Sequence, residues 1–332
     1  MITNRVSTAL GVVATLLLVA SVALLVSRYV PYGVLPLADD TWAMATAFTD
    51  LAAPGAFLAL VVAGVALVLR RRRAGVVLVA LCGLAVLAQG LLLAPRWVAG
   101  PPPVSGTTLT VLALNSRLGQ ADPKGLVDAA RTADVVVLTE ATAPQLRALA
   151  GLGMTDRLPH RCAGRLPSGG AAGTAVLSRF PVTRAVPLSA DLANQSRVCS
   201  VAVPGTASPL TVVAVHPGRP RLGGTGWLGE QEDLRAALPT SGPRVLAGDF
   251  NAVASHPTQR ALVEDGWASA VDEAGAGWVP TYPAGSTRVP PLIDIDHVYV
   301  GGGVRTTSAR AVTVPGTDHR GLLVTVALPG PG

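Results

Sequence analysis

The stretch RVLAGDFNAVASHPT, residues 244–258, decides how the second half of the chain is read. Val245, Leu246 and Ala247 form a short apolar run with strand character, Gly248 interrupts it, and Asp249 and Asn251 follow two residues apart. An apolar run closed by glycine reads as a buried strand ending in a turn. An Asx-type turn ahead of a helix over 257–265 accounts for the two polar residues without any chemistry. The other reading is that both side chains face a cleft. Neighbouring segments bear on the choice.

The same ending recurs along the chain. TLTVLALN (108–115) closes on Asn115, DVVVLTE (134–140) on Glu140 and TVVAVH (211–216) on His216. IDIDHVYV (293–300) carries Asp296, and VPGTDHRGLLVTV (314–326) sets Asp318 and His319 just before the final apolar run. A polar residue at one strand end means little. Six such sites fit a constellation at the rim of a sheet sandwich.

Strands are expected at 108–114, 134–138, 174–178, 197–203, 210–215, 244–248, 294–300, 311–314 and 321–327, with helices at 122–132, 142–150, 226–238 and 257–265. Many strands with a few interspersed helices imply an α/β fold of two packed sheets flanked by helices. The glycine-rich pieces at 164–173 and 223–226 read as loops.

The first third of the chain differs. Half of the 332 residues are hydrophobic, the mean hydropathy is +0.47, and the excess is concentrated before residue 95. Three uncharged runs, about 9–26, 51–69 and 75–93, approach the roughly 20 residues that a helix needs to span a bilayer. They make residues 1–94 a membrane anchor with three transmembrane helices. Residues 95–106 form a proline-rich linker, with Trp97 suited to the membrane interface, and 107–332 form a separate domain. Arg70 to Arg73 fill the turn between the second and third runs. Positive residues in short loops stay cytoplasmic, so the N-terminus is expected inside and the 107–332 domain outside the cell membrane. With no charge inside the runs, a transport path is not expected. Residues 1–100 carry a net +4 and the remainder only +2, which argues against a nucleic-acid-binding face.

Together these stretches resemble the endonuclease/exonuclease/phosphatase superfamily, which includes pancreatic-type deoxyribonuclease, sphingomyelinases and inositol-polyphosphate 5-phosphatases. The resemblance covers 108–328. It rests on Asn115, Glu140, GTAVLSRFP (173–181), SRVCSVAV (196–203), His216, GDFN (248–251), IDHVYV (295–300) and TDHRGLLV (317–324). It implies a four-layer α/β sandwich that hydrolyses phosphate esters with Mg²⁺, Mn²⁺ being an alternative. By this resemblance Glu140 is the principal metal ligand, with Asn115 and Asp318 beside it. Asp249 orients and deprotonates the attacking water, and Asn251 donates to a phosphoryl oxygen. His319, held by Asp296, serves as base or as proton donor. His216 meets the phosphate or the leaving group, and Arg197 pairs with a phosphate or stays a surface residue. The substrate class stays open between lipid, nucleotide and nucleic acid, and no protein partner is implied. An extracellular nuclease and an inactive anchored sensor are the competing readings.

Two departures stand out: Thr139 where the family often has Gln, and the PGRPRLGGTG segment after His216, because loops at this rim shape substrate preference. Cys162 and Cys199 are the only cysteines after residue 94, and in an oxidising space an even count favours a disulfide over two buried thiols. His256 is expected at the surface at a helix start, and His297 on the face opposite Asp296.

Overall fold

The computed structural model describes residues 2–101, 106–286 and 288–330. Part of the expected linker, 102–105, lies outside them. The chain opens with α1 (Ile2–Ser27), the short α2 (Asp39–Thr46), α3 (Ala52–Leu69) and α4 (Arg73–Leu93). Three helical stretches here are long and apolar enough to cross a membrane. Small residues let the long helices approach closely: Ala14, Ala59, Ala63 and Cys82 are buried together, and the Ser7 hydroxyl donates to the Ala66 carbonyl at 3.0 Å.

Among the described residues twelve strands follow, in two mixed six-stranded sheets. One contains β1 (Thr108–Asn115), β2 (Val135–Thr139), β3 (His160–Ala163), β4 (Thr174–Ser178), β11 (Arg305–Thr313) and β12 (Arg320–Ala327), in the order β11-β12-β1-β2-β4-β3. The other contains β5 (Val182–Pro187), β6 (Arg197–Val201), β7 (Leu210–Val215), β8 (Arg244–Asp249), β9 (Ala268–Ser269) and β10 (Asp296–Gly301), in the order β5-β6-β7-β8-β10-β9.

Period-two alternation explains the layers. In β1, Leu109, Val111 and Ala113 enter the core between the sheets, while Leu112 and Leu114 face the opposite side. That outer side is covered by α5 (Pro123–Ala129), α6 (Ala143–Gly151) and α7 (Met154–Arg157). In β8, Val245 and Ala247 point inward, and Leu246 points out toward α8 (Trp227–Ala237) and α9 (Pro257–Glu264). A short α10 (Ala270–Glu273) precedes β10. The result is the expected four-layer sandwich.

The expected disulfide is present. Cys162 on β3 and Cys199 on β6 join the two sheets, with Cα atoms 6.1 Å apart. Closing a 37-residue separation contributes about 3–4 kcal/mol in the chain-entropy account.

Four strands were not expected, or only in part: β3, β5, the two-residue β9 and most of β11. All are edge strands, and β5 and β11 are largely exposed, so neither shows a strong apolar alternation.

The segment after α4 does not run free of the domain. Arg96 meets Asp50 at 2.9 Å and Asp272 at 3.8 Å. The Gly100 N–H donates to the Glu273 carbonyl, and the Gly277 N–H to that of Arg96. His256 also departs from expectation. It does precede a helix, at the N-cap position of α9, but it is buried at 1% exposure. Its Nδ1 accepts from the Val253 N–H, and its Nε2 lies 2.9 Å from the Ala43 carbonyl of α2. Desolvation holds its pKa down at about 4.

Candidate active site

Pairing sets which strand ends share a rim. β1 runs parallel to β2 and β7 parallel to β8, so Asn115, Glu140, His216 and Asp249 all stand at C-terminal ends. β10 runs antiparallel to β8 with Asp296 opposite Asp249. β12 runs antiparallel to β1, which brings His319, just before β12, to the same end.

Alternation then aims the side chains. Asn115, His216, Asp249 and Asp296 continue the inward-facing series of their strands. His297 is one step out of phase and packs between Phe250 and Tyr299 on the outer face, as expected. Glu140 is the informative exception. Val136 and Leu138 face outward, so strict alternation would carry Glu140 away from the cleft. Its φ of 53° breaks that series. Asn251 has φ 48° at the corresponding turn after β8. Left-handed backbone at non-glycine residues carries strain of order 1–3 kcal/mol and concentrates at functional sites. Gly248 has its own reason. A Cβ there would lie 2.0 Å from the Val215 carbonyl oxygen, so β7 and β8 pair closely only with glycine.

Asn115 is the centre of the cluster. Its Nδ2 donates to Asp249 Oδ2 at 2.8 Å and to Glu140 Oε1 at 3.2 Å. Its Oδ1 accepts from the Arg117 N–H at 2.8 Å, a donor that fixes which way the amide points. The amide therefore presents nitrogen, not oxygen, to the carboxylates. Glu140 Oε2 accepts from the Leu118 N–H at 2.7 Å. His216 Nε2 lies 3.7 Å from Asp249 Oδ2 and 3.9 Å from Glu140 Oε1, and its Nδ1 is buried with no partner among the described residues.

On the other flank, His319 Nδ1 lies 2.7 Å from Asp296 Oδ2, and its Nε2 is 3.8 Å from Asp249 Oδ2. Burial pulls the imidazole pKa down, but the charges of Asp296 and Asp249 outweigh it and push it up to about 10. Burial pushes the Asp296 carboxyl up, against the opposing pull of His319. Both shifts point upward, so the pair as a unit retains a proton at neutral pH.

Asn251 donates its N–H to Asp249 Oδ1 at 2.8 Å and its Nδ2 to the Pro217 carbonyl at 3.0 Å. Asp318 and Arg197 stand apart from this network. Asp318 is half-buried, with its carboxylate 3.8 Å from the Arg117 guanidinium. Arg197 sits at the start of β6, its Nη2 3.4 Å from Gln195 Oε1 and its Nε buried without a partner among the described residues. Thr139 pairs in register with Asn115 and is fully buried, so this departure does not reach the cleft surface.

Sequence reasoning missed the residues that hold these groups. Thr317 Oγ1 donates to the Asn115 carbonyl and accepts the His319 N–H. Thr281 Oγ1 accepts the Ile295 and Asp296 N–H groups. Ser196 Oγ accepts the His216 N–H, and the Tyr282 ring lies 4.9 Å from that of His319. Ser196 and Thr317 lie inside quoted motifs, but nothing in their spacing distinguishes them from turn residues.

Asp249, Asp296 and His319 offer three ligand atoms within 4.8 Å of one another. His319 Nδ1 is already committed to Asp296, and a hard cation prefers oxygen. Carboxylate oxygens are such donors, and beside this group Glu140 Oε1 and Asp249 Oδ2 both face the Asn115 amide nitrogen and the His216 imidazole.

The model of the Endonuclease/Exonuclease/phosphatase family matches residues 99–319. No curated protein matches the chain. Among solved structures, an endonuclease/exonuclease/phosphatase from Beutenbergia cavernae is 25% identical with TM-score 0.55, covering 67% of this chain and 72% of that one. D. rerio TDP2 humanized by 14 mutations is 16% identical with TM-score 0.53, covering 66% and 98%. An endonuclease/exonuclease/phosphatase from Bacteroides vulgatus is 16% identical with TM-score 0.53, covering 67% and 100%. At 16% the last two establish the fold alone, whereas the family match spans two-thirds of the sequence. The chain belongs to the endonuclease/exonuclease/phosphatase family.

Proposed function

We propose that the protein is a membrane-anchored phosphoesterase that hydrolyses a phosphodiester or phosphomonoester by attack of water, with its catalytic domain outside the cytoplasmic membrane. One observation carries this reading: two carboxylates, Glu140 and Asp249, meet at Asn115 beside the His319–Asp296 pair.

Glu140 would hold a divalent cation, Mg²⁺ with Mn²⁺ as the alternative, and Asn115 would orient the carboxylates. Asp318 at the rim is a candidate carboxylate on the same side. When bound, such an ion supplies Lewis acidity to a phosphoryl oxygen. Asp249 orients the water and accepts its proton as the oxygen–phosphorus bond forms. Asn251 has a second amide hydrogen beyond the one given to Pro217 and donates it to a phosphoryl oxygen as charge builds. The carboxylates of Asp296 and Asp249 push the His319 pKa up to about 10, which favours the donor of its two expected roles. As the bond to the leaving oxygen breaks, that oxygen takes the His319 proton. Asp296 keeps the imidazolium oriented. His216 faces the same carboxylates and contacts the phosphate. Arg197 would pair with a phosphate or stay a surface residue.

An extracellular nuclease is the second reading within this class, and the small charge of the domain disfavours it. The test is hydrolysis by the full-length chain in detergent, with Mg²⁺ or Mn²⁺, of a phosphodiester, a phosphomonoester, DNA and phospholipids. Turnover that needs the ion is expected on at least one of them. Glu140→Ala should raise the half-saturating Mg²⁺ concentration by about tenfold or more, as loss of a ligand implies. Silence of the whole panel with either ion would overturn the reading.

Three features support the topology. Arg70 to Arg73 bracket the turn between α3 and α4, three crossings put the α1–α3 connection and the domain on one side, and a disulfide suits an oxidising space. A reporter fused after Gly332 should be active only in its exported form, and one inserted at Arg72 only in its cytoplasmic form. The reverse pattern would refute the external placement.

A further inference from the structure

Helix α8 begins without a cap of its own. Gly226 stands at the N-cap position and offers no side chain, although the first N–H groups of a helix need acceptors. The acceptor comes from the connection between α1 and α3. Asp40 Oδ1 takes the Trp227 N–H at 3.0 Å and Oδ2 takes the Arg221 N–H at 3.0 Å. The Asp40 N–H donates to the Gly224 carbonyl, and the Gly223 N–H donates to Thr41 Oγ1 at 2.9 Å. Asp40 is 4% exposed, and its carboxylate is satisfied by backbone N–H groups at the positive end of a helix.

What this clamp holds is the wall of the cleft. Residues 217–226 directly follow His216, and Trp227 opens α8. The Trp227 indole N–H donates to the Asn251 carbonyl at 3.2 Å, while Asn251 Nδ2 donates to the Pro217 carbonyl. The other side of α2 reaches the turn beyond Asn251 through Ala43 and His256, whose ring meets Trp227 edge-on at 4.9 Å. The connection therefore braces both segments flanking Asn251, a residue whose left-handed backbone must be held by its surroundings.

We propose that the α1–α3 connection is a working part of the cleft, in which Asp40 is a positioning residue acting on Asn251 through Trp227 and residues 217–226. The proposal deepens the phosphoesterase reading and rests on it for its kinetic consequence.

Its structural consequence is measured separately, by hydrogen exchange on the full-length chain in detergent. Asp40→Ala should speed exchange across 217–230 and 250–256 by about tenfold or more, with β1 and β8 unchanged, because local opening is read segment by segment. Asp40→Asn, which keeps one oxygen and is a good capping residue, should fall between the two and serves if the alanine variant does not accumulate. On the substrate found by the panel, Asp40→Ala should lower kcat about tenfold in the parent but less than twofold in an Asn251→Ala background, since residues acting through one group are not additive. Unchanged exchange at 217–230 overturns the proposal. So does an equal factor in both backgrounds, which signifies a general loss of folded enzyme. If the parent turns over nothing, exchange still decides the clamp and only the phosphoesterase reading falls.

Discussion

Asp249→Ala is expected to lower kcat by about three to four orders of magnitude, near the upper range for a residue that moves the proton in the bond-forming step. Asp249 is met from four directions: it accepts from Asn115 and Asn251, and both His216 and His319 face its Oδ2. Its loss would also leave the Asn251 N–H without this acceptor in a left-handed turn, at about 1–3 kcal/mol. Asp249→Asn separates the two effects. It keeps the volume and an oxygen for the Asn251 N–H but cannot take a proton from water. A kcat deficit of similar size in a variant with unchanged circular dichroism would place the loss in the chemistry. An Asp249→Asn enzyme turning over within tenfold of the parent would remove Asp249 from the proton path and return GDFN to a simple Asx turn.

That turn was legible because β8 announces itself. Val245 and Ala247 must be apolar to fill the space between the sheets, so a carboxylate two residues further on the same face is conspicuous. The same holds for Asn115, His216 and Asp296. Glu140 was legible as a polar strand end but its direction was not, because alternation points it the wrong way and its φ cannot be read from residue types. His256 was misread for a different reason. What buries it is Ala43, 213 residues earlier, on the connection between the first two apolar runs. Asp40 was invisible as a cap on the same ground: its partners at 221 and 227 are far away in sequence, and Gly226 gives no sign that its helix needs an acceptor from elsewhere. Local periodicity specifies which face a residue takes. It does not specify what covers that face.

The His319–Asp296 pair yields the other large effect, and it is read in two ways. His319→Gln and Asp296→Asn should each lower kcat by about two to three orders of magnitude, and the double variant should be no worse than His319→Gln alone, because both serve one proton transfer. Multiplicative losses would mean that Asp296 does not act through His319. The second measurement is stability against pH in the absence of added metal. In the folded protein the His319 pKa stands at about 10, while in the unfolded chain it returns to about 6.5. Between these values the folded state holds a proton that the unfolded state has released, so stability falls as pH rises. The contribution is complete below the unfolded pKa and disappears on passing through the folded one. The melting temperature of the parent should therefore exceed that of His319→Gln most clearly near pH 6–7, and the gap should close toward pH 10. Asp294, whose burial pushes it up to about 8, also loses stability with rising pH, but it does so in both proteins and cancels from the difference. A gap that stays constant from pH 6 to pH 10 would mean that His319 is neutral in the folded state. It would then be a base at this site, with Asp296 fixing its tautomer rather than its charge.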